Sequence, residues 1–266
     1  MHAARLRVIF ARMSAISYDS RQAPILFIAD LHLDSSRPQA IHAFLRFLQT
    51  RASSAAALFI LGDLFEAWIG DDARPTDDPI APALAALQAH DTDVWLMHGN
   101  RDFLLGLDYA QAAGASLLHE PLCIEIDAAP IVLEHGDALC TDDLAYQAFR
   151  SQVRDSHWQS QFLALPIAER IEQANAARIR SGEDMAEKSN AIMDVNEAAV
   201  TERMQAFNVY HLIHGHTHRP AIHEFLLNEK KAQRMVLGDW FEQGSVLTVN
   251  DGDWQLESIP FATEAV

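Results

Sequence analysis

The segment Ile25–His32, which reads ILFIADLH, decides the fold because it joins an unbroken apolar run to an Asp-x-His pair. A short run that is apolar at every position is typical of a strand buried on both faces, and the polar pair then lies at the end of that strand. The same order recurs at four later places: Ala57–Leu61 before Gly62-Asp63, Val94–Met97 before His98-Gly99-Asn100, Ile131–Leu133 before Glu134-His135-Gly136, and Val209–Ile213 before His214-Gly215-His216. The chain thus repeats one unit, a buried strand whose end carries groups capable of chemistry.

Helical patterns lie between the first of these strands. Apolar residues recur at three- and four-residue spacing from Ile41 to Leu48, and Leu84 and Leu87 lie in an alanine-rich stretch. Strands that alternate with helices predict an α/β fold, in which ligands bind beyond the carboxyl ends of the strands. Five chemically capable strand ends therefore predict a site at one edge of the sheet. The periodicity predicts the layered class and leaves the strand order open.

Two segments interrupt this alternation. Residues 71–82 contain three prolines and four aspartates and are predicted to form a loop, whereas residues 143–200 show only helical patterns. We predict a core of residues 25–142 and 201–266, with residues 143–200 inserted as a helical cap beside the site. Residues 1–24 lack the long apolar stretch and the cleavage site of a signal peptide, so they are predicted to be a disordered extension, with Met13 as an alternative start.

The composition excludes several classes of protein. No apolar run approaches the roughly 18 to 20 residues that span a bilayer, and two cysteines, Cys123 and Cys140, indicate reduced thiols in a cytosolic protein. A formal charge of −17 argues against a general nucleic-acid binder, which normally carries a basic face. Carboxylates in that number suit a site for divalent cations, which can in turn hold a phosphorylated substrate.

The strand ends supply the oxygen and nitrogen ligands that Mn, Fe or Zn accept. Asp30 and His32, like His216 and His218, alternate in a way that directs both side chains to one side of an extended chain. The candidate ligands are Asp30, His32, Asp63, Asn100, His135, His216 and His218. Seven ligands are too many for one ion. They suit two ions that share a carboxylate, roughly 3.5 to 4 Å apart, an arrangement that activates water against phosphorus.

Each residue also has a plain structural interpretation. An aspartate after a strand is often a helix N-cap, and a histidine at a strand end is more often a hydrogen-bonded surface residue than a ligand. These interpretations hold for Asp30 or Asp63 alone. They lose force when all five motifs occur together in one order.

That ordered set resembles the signature of the calcineurin-like metallophosphoesterases. The resemblance implies a layered core of β-sheet and helices and two Mn²⁺ ions per chain, although the ligand types leave iron and zinc open. It implies that Asp30, His32 and His218 hold the first ion, and that Asn100, His135 and His216 hold the second. Asp63 would bridge the two ions.

Six stretches resemble one branch of that family most closely, the UDP-2,3-diacylglucosamine pyrophosphohydrolases of lipid A biosynthesis. They are residues 27–33, 60–72, 98–106, 139–143, 191–196 and 213–220. The resemblance implies that water attacks the α-phosphorus of this nucleotide sugar to give UMP and 2,3-diacylglucosamine 1-phosphate. It also implies a cytoplasmic protein that lies peripherally on the cytoplasmic face of the inner membrane and contacts lipid there. Neither a nucleic acid nor an obligate protein partner is expected.

Arg101 occupies a position where many metallophosphoesterases carry a histidine that protonates a leaving alkoxide. A guanidinium keeps its proton, so Arg101 is suited to gripping phosphate oxygens, and this favours a leaving group that needs little protonation, such as a phosphate monoester. Arg101 as a plain salt-bridge partner is the alternative. By the resemblance, the catalytic residues are Asp63, Asn100, Arg101 and His216.

The substrate contacts implied by the resemblance carry over unevenly. They are Asn100, Arg101, Asp143, Ser181, Lys188 and His216. A further contact, expected to be asparagine, falls at Met185, whose thioether cannot replace the donor and acceptor of an amide. This departure leaves the polar contacts to the glucosamine unit open and does not affect the metal ligands.

The predicted cap is neutral and amphipathic. Ile167, Ile171 and Ala174 follow helical spacing, with Arg170 and Arg178 as basic flanks. By the pattern alone the apolar stripe packs on the core, whereas the resemblance favours a stripe that shelters acyl chains or lies against a membrane. Two other functions stay open: another two-metal phosphodiesterase or phosphatase, and a metal-free scaffold of the same fold.

Overall fold

Within residues 16–187 and 194–261, which the computed structural model describes, the chain forms twelve strands and seven α-helices. Of residues 179–187 only the backbone is described. The strands are β1 (Ser17–Tyr18), β2 (Ile25–Ile28), β3 (Ala57–Leu61), β4 (Asp93–Met97), β5 (Ser116–Leu118), β6 (Leu122–Ile126), β7 (Ala129–Leu133), β8 (His211–His214), β9 (Ala221–Leu227), β10 (Lys230–Val236), β11 (Gln243–Asn250) and β12 (Asp253–Pro260). The α-helices are α1 (Pro38–Thr50), α2 (Ile80–Ala85), α3 (Leu107–Ala112), α4 (Leu144–Val153), α5 (Ser156–Leu163), α6 (Ile167–Glu187) and α7 (Glu197–Phe207). Short 3₁₀ turns occur at Ala52–Ser54, Asp71–Ala73, Ala86–His90 and Asp137–Leu139.

The strands form two six-stranded sheets. One has the order β12-β11-β2-β3-β4-β5 and the other the order β1-β6-β7-β8-β10-β9. Strands β2, β3 and β4 are parallel neighbours, with Phe27 opposite Phe59, and β7 and β8 are parallel neighbours in the second sheet. The prediction that all five strand ends share one sheet edge is therefore wrong. A strand buried on both faces has the same apolar pattern in either sheet, so the pattern could not distinguish them.

Alternate side chains of these strands enter different core layers. Phe27 and Phe59 stack at 4.9 Å and face the second sheet, whose Ile131 contributes to the same apolar cluster. Leu26 and Leu58 face the opposite way and join the layer under α1. On the far side of the second sheet, Val132 and Leu212 pack with Val200 and Met204 of α7. The result is two sheets face to face, with helices on both outer surfaces.

Local sequence explains where the helices begin. α1 has proline at its first position, where no backbone N–H is needed, and it buries Phe44, Phe47 and Leu48. The predicted loop of residues 71–82 ends earlier than expected, because α2 starts at Ile80 and takes Pro82 into its first turn. The loop also contains the 3₁₀ turn at Asp71–Ala73.

Between Asp143 and Val200, the described residues form helices and no strand. The basic flank predicted at Arg170 is wrong, because that residue faces the core and is 1% exposed, whereas Ile167 and Ile171 are 40% and 48% exposed. The division into a core and a cap stays a prediction. Helix α7 (Glu197–Phe207) runs across the predicted end of the cap at residue 200. Among the described residues, no helix combines the length and the apolarity that crossing a membrane requires.

Candidate metal centre

The loops after β2 and β3 continue side by side beyond the strands. The Asp30 N–H donates to the Gly62 carbonyl at 3.1 Å, and the His32 N–H donates to the Asp63 carbonyl at 2.9 Å. The second sheet joins them where the His216 N–H donates to Asp30 Oδ2 at 2.8 Å. Ends of strands from both sheets therefore meet at one place.

Five of the seven candidate ligands have a backbone in the left-handed region. The φ angles are 56° at Asp30, 47° at His32, 53° at Asp63, 68° at His216 and 55° at His218. Non-glycine residues rarely adopt this conformation, which costs on the order of 1 kcal/mol per residue or more and persists only where the surrounding structure enforces it. In this structure it turns successive side chains toward a common point.

Asp30, His32 and His218 form the first group of donors. His32 Nε2 lies 3.3 Å from His218 Nε2, and Asp30 Oδ1 lies 3.5 Å from His218 Nε2 and 4.0 Å from His32 Nε2. Donors bonded to one cation at about 2.1 Å are separated by roughly 3 to 3.5 Å. These three side chains match the set predicted for the first ion.

Asn100, His135 and His216 form the second group. Asn100 Oδ1 lies 3.0 Å from His135 Nε2 and 2.9 Å from His216 Nδ1. The other ring nitrogen of His135 lies 2.9 Å from the Leu61 carbonyl, which fixes the orientation of the imidazole. The structure thus also brings together the side chains predicted for the second ion.

Asp63 lies between the two groups. Its Oδ2 is 3.6 Å from His32 Nε2 and 3.7 Å from His135 Nε2, and its Oδ1 accepts the Arg101 N–H at 2.8 Å. The carboxylate of Asp102 in turn accepts the N–H groups of Asp63, Leu64 and Gly99. Asp63 is therefore held in a position from which it can reach both groups.

The side chains fit cations. Asp30 Oδ1 is buried and accepts no hydrogen bond from the described residues, although it points at two imidazole nitrogens. A buried acceptor without a partner is costly, and a cation would satisfy it. Two sets of Asp and His donors that could each hold an ion occur here: Asp30, His32 and His218, and Asp30, Asp63 and His135.

Burial and neighbouring charges shift the pKa values at the site in opposite directions. Burial raises the pKa of Asp63 to about 6, against the charges of His135 and His32. At Asp30, burial acts to raise the pKa, but the contact with His218 and the charge of His135 outweigh it and lower the pKa to about 2. Burial acts to lower the pKa of His135, whereas the Asp63 and Asp30 carboxylates raise it to about 9. The carboxylates thus draw positive charge into a buried site.

Burial also affects the two remaining histidines. It lowers the pKa of His216 to about 4, and the charge of His135 adds to the effect. The pKa of His218 is raised, because its contact with Asp30 outweighs partial burial. A neutral imidazole, as at His216, is the form that binds metals.

Several residues around the centre were not singled out from the sequence. Glu66 Oε2 lies 2.9 Å from His32 Nδ1, and Asp239 Oδ2 lies 3.6 Å from His218 Nδ1. Burial acts to raise the pKa of Glu66, but His32 and the nearby arginines lower it overall. Asp137 accepts the Tyr146 hydroxyl at 2.7 Å and Arg150 Nε at 2.8 Å. In the sequence, Asp137 ends the His135-Gly136-Asp137 motif and Glu66 lies three residues after Asp63, so closeness to a candidate ligand was the signal for both.

The predicted substrate contacts beyond the metal ligands are less complete. Arg101 lies at the centre through its backbone bond to Asp63, whereas Asp143 caps α4 by accepting the Tyr146 N–H at 3.1 Å. Ser181 and Met185 lie in α6, where the structure describes only their backbone. Lys188 lies outside the described residues.

Comparison with known proteins adds sequence evidence to this geometry. Residues 23–220 match the family Calcineurin-like phosphoesterase. The chain is 48% identical over 242 residues to UDP-2,3-diacylglucosamine hydrolase of Stenotrophomonas maltophilia (strain K279a), covering 88% of this chain and 98% of that protein. It is also 48% identical over 237 residues to the protein of that name from Escherichia coli O7:K1 (strain IAI39 / ExPEC), covering 89% and 99%. Among solved structures, an archaeal phosphodiesterase is similar with a TM-score of 0.45 and 10% identity, covering 89% of this chain and 99% of that chain.

Proposed function

Because this chain belongs to the calcineurin-like phosphoesterase family, we propose that it hydrolyses the pyrophosphate bond of UDP-2,3-diacylglucosamine, the substrate in the name of its relatives. Water attacks the α-phosphorus, the bond to the bridging oxygen breaks, and UMP and 2,3-diacylglucosamine 1-phosphate leave, as a step of lipid A biosynthesis. The observation that carries the proposal is the position of Asp63, with one carboxylate oxygen 3.6 and 3.7 Å from histidine nitrogens of two separate donor groups.

Two Mn²⁺ ions are the proposed cofactors. Asp30, His32 and His218 would hold one ion, Asn100, His135 and His216 would hold the other, and Asp63 would be shared. When bound, such ions supply an activated water and stabilise charge on the phosphoryl oxygens. The contribution of the chain is to fix these donors in a buried place, since Asp30 and His135 are fully buried. Fixed donors need no rearrangement as charge develops on the substrate.

Arg101 supports a pyrophosphate substrate. Its N–H bond to Asp63 places the residue beside the shared carboxylate, and its Nε is buried without a hydrogen-bond partner among the described residues. A guanidinium can bind phosphate oxygens in a fork, but it does not release its proton near neutral pH. In the proposed reaction Arg101 neutralises charge on the phosphates, and the leaving phosphate monoester departs without needing a proton from it.

Exposed apolar side chains on the cap helices support a lipid substrate. Ile167 and Ile171 on α6, and Leu144 and Phe149 on α4, are each 40% exposed or more. Ile167 and Ile171 lie four residues apart on one face of α6, and a contiguous exposed apolar patch often marks a ligand or membrane surface. We propose that they shelter the acyl chains, and that the protein lies peripherally on the cytoplasmic face of the inner membrane.

The direct test supplies purified full-length protein with Mn²⁺ and UDP-2,3-diacylglucosamine in ¹⁸O-labelled water. We expect UMP as a product, with the label in UMP because water attacks the α-phosphorus. Label in the lipid phosphate would overturn the proposed point of attack. Rapid turnover of short soluble phosphodiesters without UMP would favour another phosphoesterase activity. A protein that binds no transition metal and stays inactive after Mn²⁺ addition would favour the scaffold.

A further inference from the structure

Glu66 contacts the first donor group without belonging to it. Its Oε2 lies 2.9 Å from His32 Nδ1, and its Oε1 accepts a hydrogen bond from Arg178 Nη2 at 2.8 Å. The His32 side chain is 4% exposed and that of Glu66 is 19% exposed. One carboxylate therefore contacts an imidazole of the candidate metal centre and a guanidinium of α6 at the same time.

The Glu66 carboxylate determines which ring nitrogen of His32 is available to a cation. A carboxylate beside Nδ1 favours the proton on that nitrogen and leaves the lone pair on Nε2. Nε2 is the nitrogen that faces the other donors, 3.3 Å from His218 Nε2 and 3.6 Å from Asp63 Oδ2. The contact is short but is not aligned as a hydrogen bond, so the carboxylate acts on the ring chiefly through its charge.

Arg178 fixes the second oxygen of the same carboxylate. Its side chain is 41% exposed, so the ion pair by itself adds little to the stability of the fold. The ion pair does, however, orient the Glu66 side chain. The Glu66 backbone is held separately, because its N–H donates to the Leu33 carbonyl at 3.2 Å. The direction in which Glu66 presents Oε2 to His32 thus depends on where α6 lies.

We propose that Glu66 is the positioning residue of His32 and that Arg178, acting through Glu66, couples the placement of α6 to cation affinity at Asp30, His32 and His218. The inference rests on the proposed metal-dependent function. Carboxylates behind metal-bound histidines raise the basicity of the ring, and their loss typically weakens metal binding by about 10- to 100-fold. Because such coupling is reciprocal, a cation at His32 strengthens the Arg178 contact by the same factor that Arg178 strengthens cation binding.

The experiment measures Mn²⁺ affinity of the full-length protein by competition with a chelating dye, so that it does not depend on turnover. Glu66→Ala is expected to weaken one of two Mn²⁺ sites by about 10- to 100-fold. Glu66→Gln keeps the size of the side chain and removes its charge, so a loss close to that of Glu66→Ala is expected. Arg178→Gln is expected to weaken the same site by about 5-fold, the lower end of measured coupling between sites. In the Glu66→Ala background, Arg178→Gln should add no further loss.

A matched ion pair elsewhere provides the control. Arg51 and Glu257 lie 2.7 Å apart, with side chains 35% and 32% exposed, and Glu257→Gln should leave Mn²⁺ affinity unchanged. Wild-type protein that binds no Mn²⁺ would refute the proposed function itself. Two tight sites in the wild type, with Glu66→Ala within twofold of it, would refute this inference alone. If the metal-free Glu66→Ala variant unfolded at a lower temperature but bound Mn²⁺ as tightly as wild type, Glu66 would have only a structural role. That result would also refute the inference.

Discussion

Replacing Gly99 by alanine should displace the shared carboxylate without altering any proposed ligand. A Cβ at this position would lie 2.0 Å from Asp63 Oδ1, 2.3 Å from the Asp63 backbone nitrogen and 2.6 Å from its Cγ. An ordinary contact begins near 3.4 Å, so the carboxylate oxygen and the new methyl group must separate by about 1.4 Å. The Asp63 backbone is tied to Asp102, so the chain cannot simply move aside.

The expected consequence is loss of the site before loss of the fold. Protein–metal distances are tolerated to within about 0.2 Å, and a misplacement of about 1 Å can cost roughly 100-fold in rate. Overpacking itself costs about 1 to 3 kcal/mol, which a domain of this size can survive. We therefore expect Gly99→Ala to fold, to bind at least one Mn²⁺ more weakly, and to lose about 100-fold or more in kcat.

The assay combines Mn²⁺ stoichiometry, UMP release and urea unfolding on the same preparation. Gly252→Ala, in the turn between β11 and β12, is the control: its Cβ would meet no atom within 4 Å, but the φ of +80° strains an alanine, so stability should fall while Mn²⁺ binding and kcat stay unchanged. Gly215→Ala should repeat the effect on the other buried carboxylate, since its Cβ would lie 2.3 Å from Asp30 Oδ2. If Gly99→Ala kept two tightly bound ions and a kcat within threefold of wild type, Asp63 would not be the shared ligand.

Three further predictions concern the ions and the contact between core and cap. Asp63→Ala should abolish UMP release more completely than Ser181→Ala, because it removes a ligand from both proposed ions; equal residual rates in the same assay would contradict the bridging assignment. Chelation should lower the unfolding temperature, since Mn²⁺ at about 100 times its dissociation constant stabilises by about 2.7 kcal/mol, and a scanning-calorimetry trace unchanged by chelator would refute occupancy. Asp72→Ala removes the exposed carboxylate that pairs with the buried Arg170 guanidinium, although Arg170 keeps its bond to the Ile69 carbonyl. Urea unfolding should therefore show a free energy of unfolding lower by about 1 to 2 kcal/mol. An unchanged free energy of unfolding would mean that this ion pair does not stabilise the fold.

The candidate ligands could be predicted because each lies two to four residues after the end of a short buried strand. The predicted run Ala57–Leu61 coincides with β3, and a strand end limits where the next few residues can lie. Their grouping around Asp63 needed the family resemblance, since spacing gives no distance between segments. The left-handed backbone at Asp30 and His218 has no signature in composition, because tertiary contacts impose it.

The charged residues that support the site were harder to predict. Arg170 follows helical spacing on a polar helix, where an arginine is ordinarily solvated, yet it is buried against the loop at residues 69–72. Glu66 and Asp102 are carboxylates in loops, and only the folded chain shows that one contacts His32 and the other accepts four N–H groups. A charged side chain becomes informative through its partner, and a single sequence does not identify that partner.

Arginines of α4, of its C-terminal end and of α6 contact the loops that carry the proposed ligands at three points. Arg154 Nη2 donates to the Gly99 carbonyl at 3.0 Å, Arg150 bonds to Asp137 two residues after His135, and Arg178 reaches Glu66 behind His32. The first two contacts adjoin the second donor group and the third adjoins the first. A carboxylate-rich site whose backbone is strained depends on such outside support, because its own groups repel one another. Movement of α4 or α6 would therefore disturb the ligands themselves, so these two helices are structurally part of the candidate metal centre.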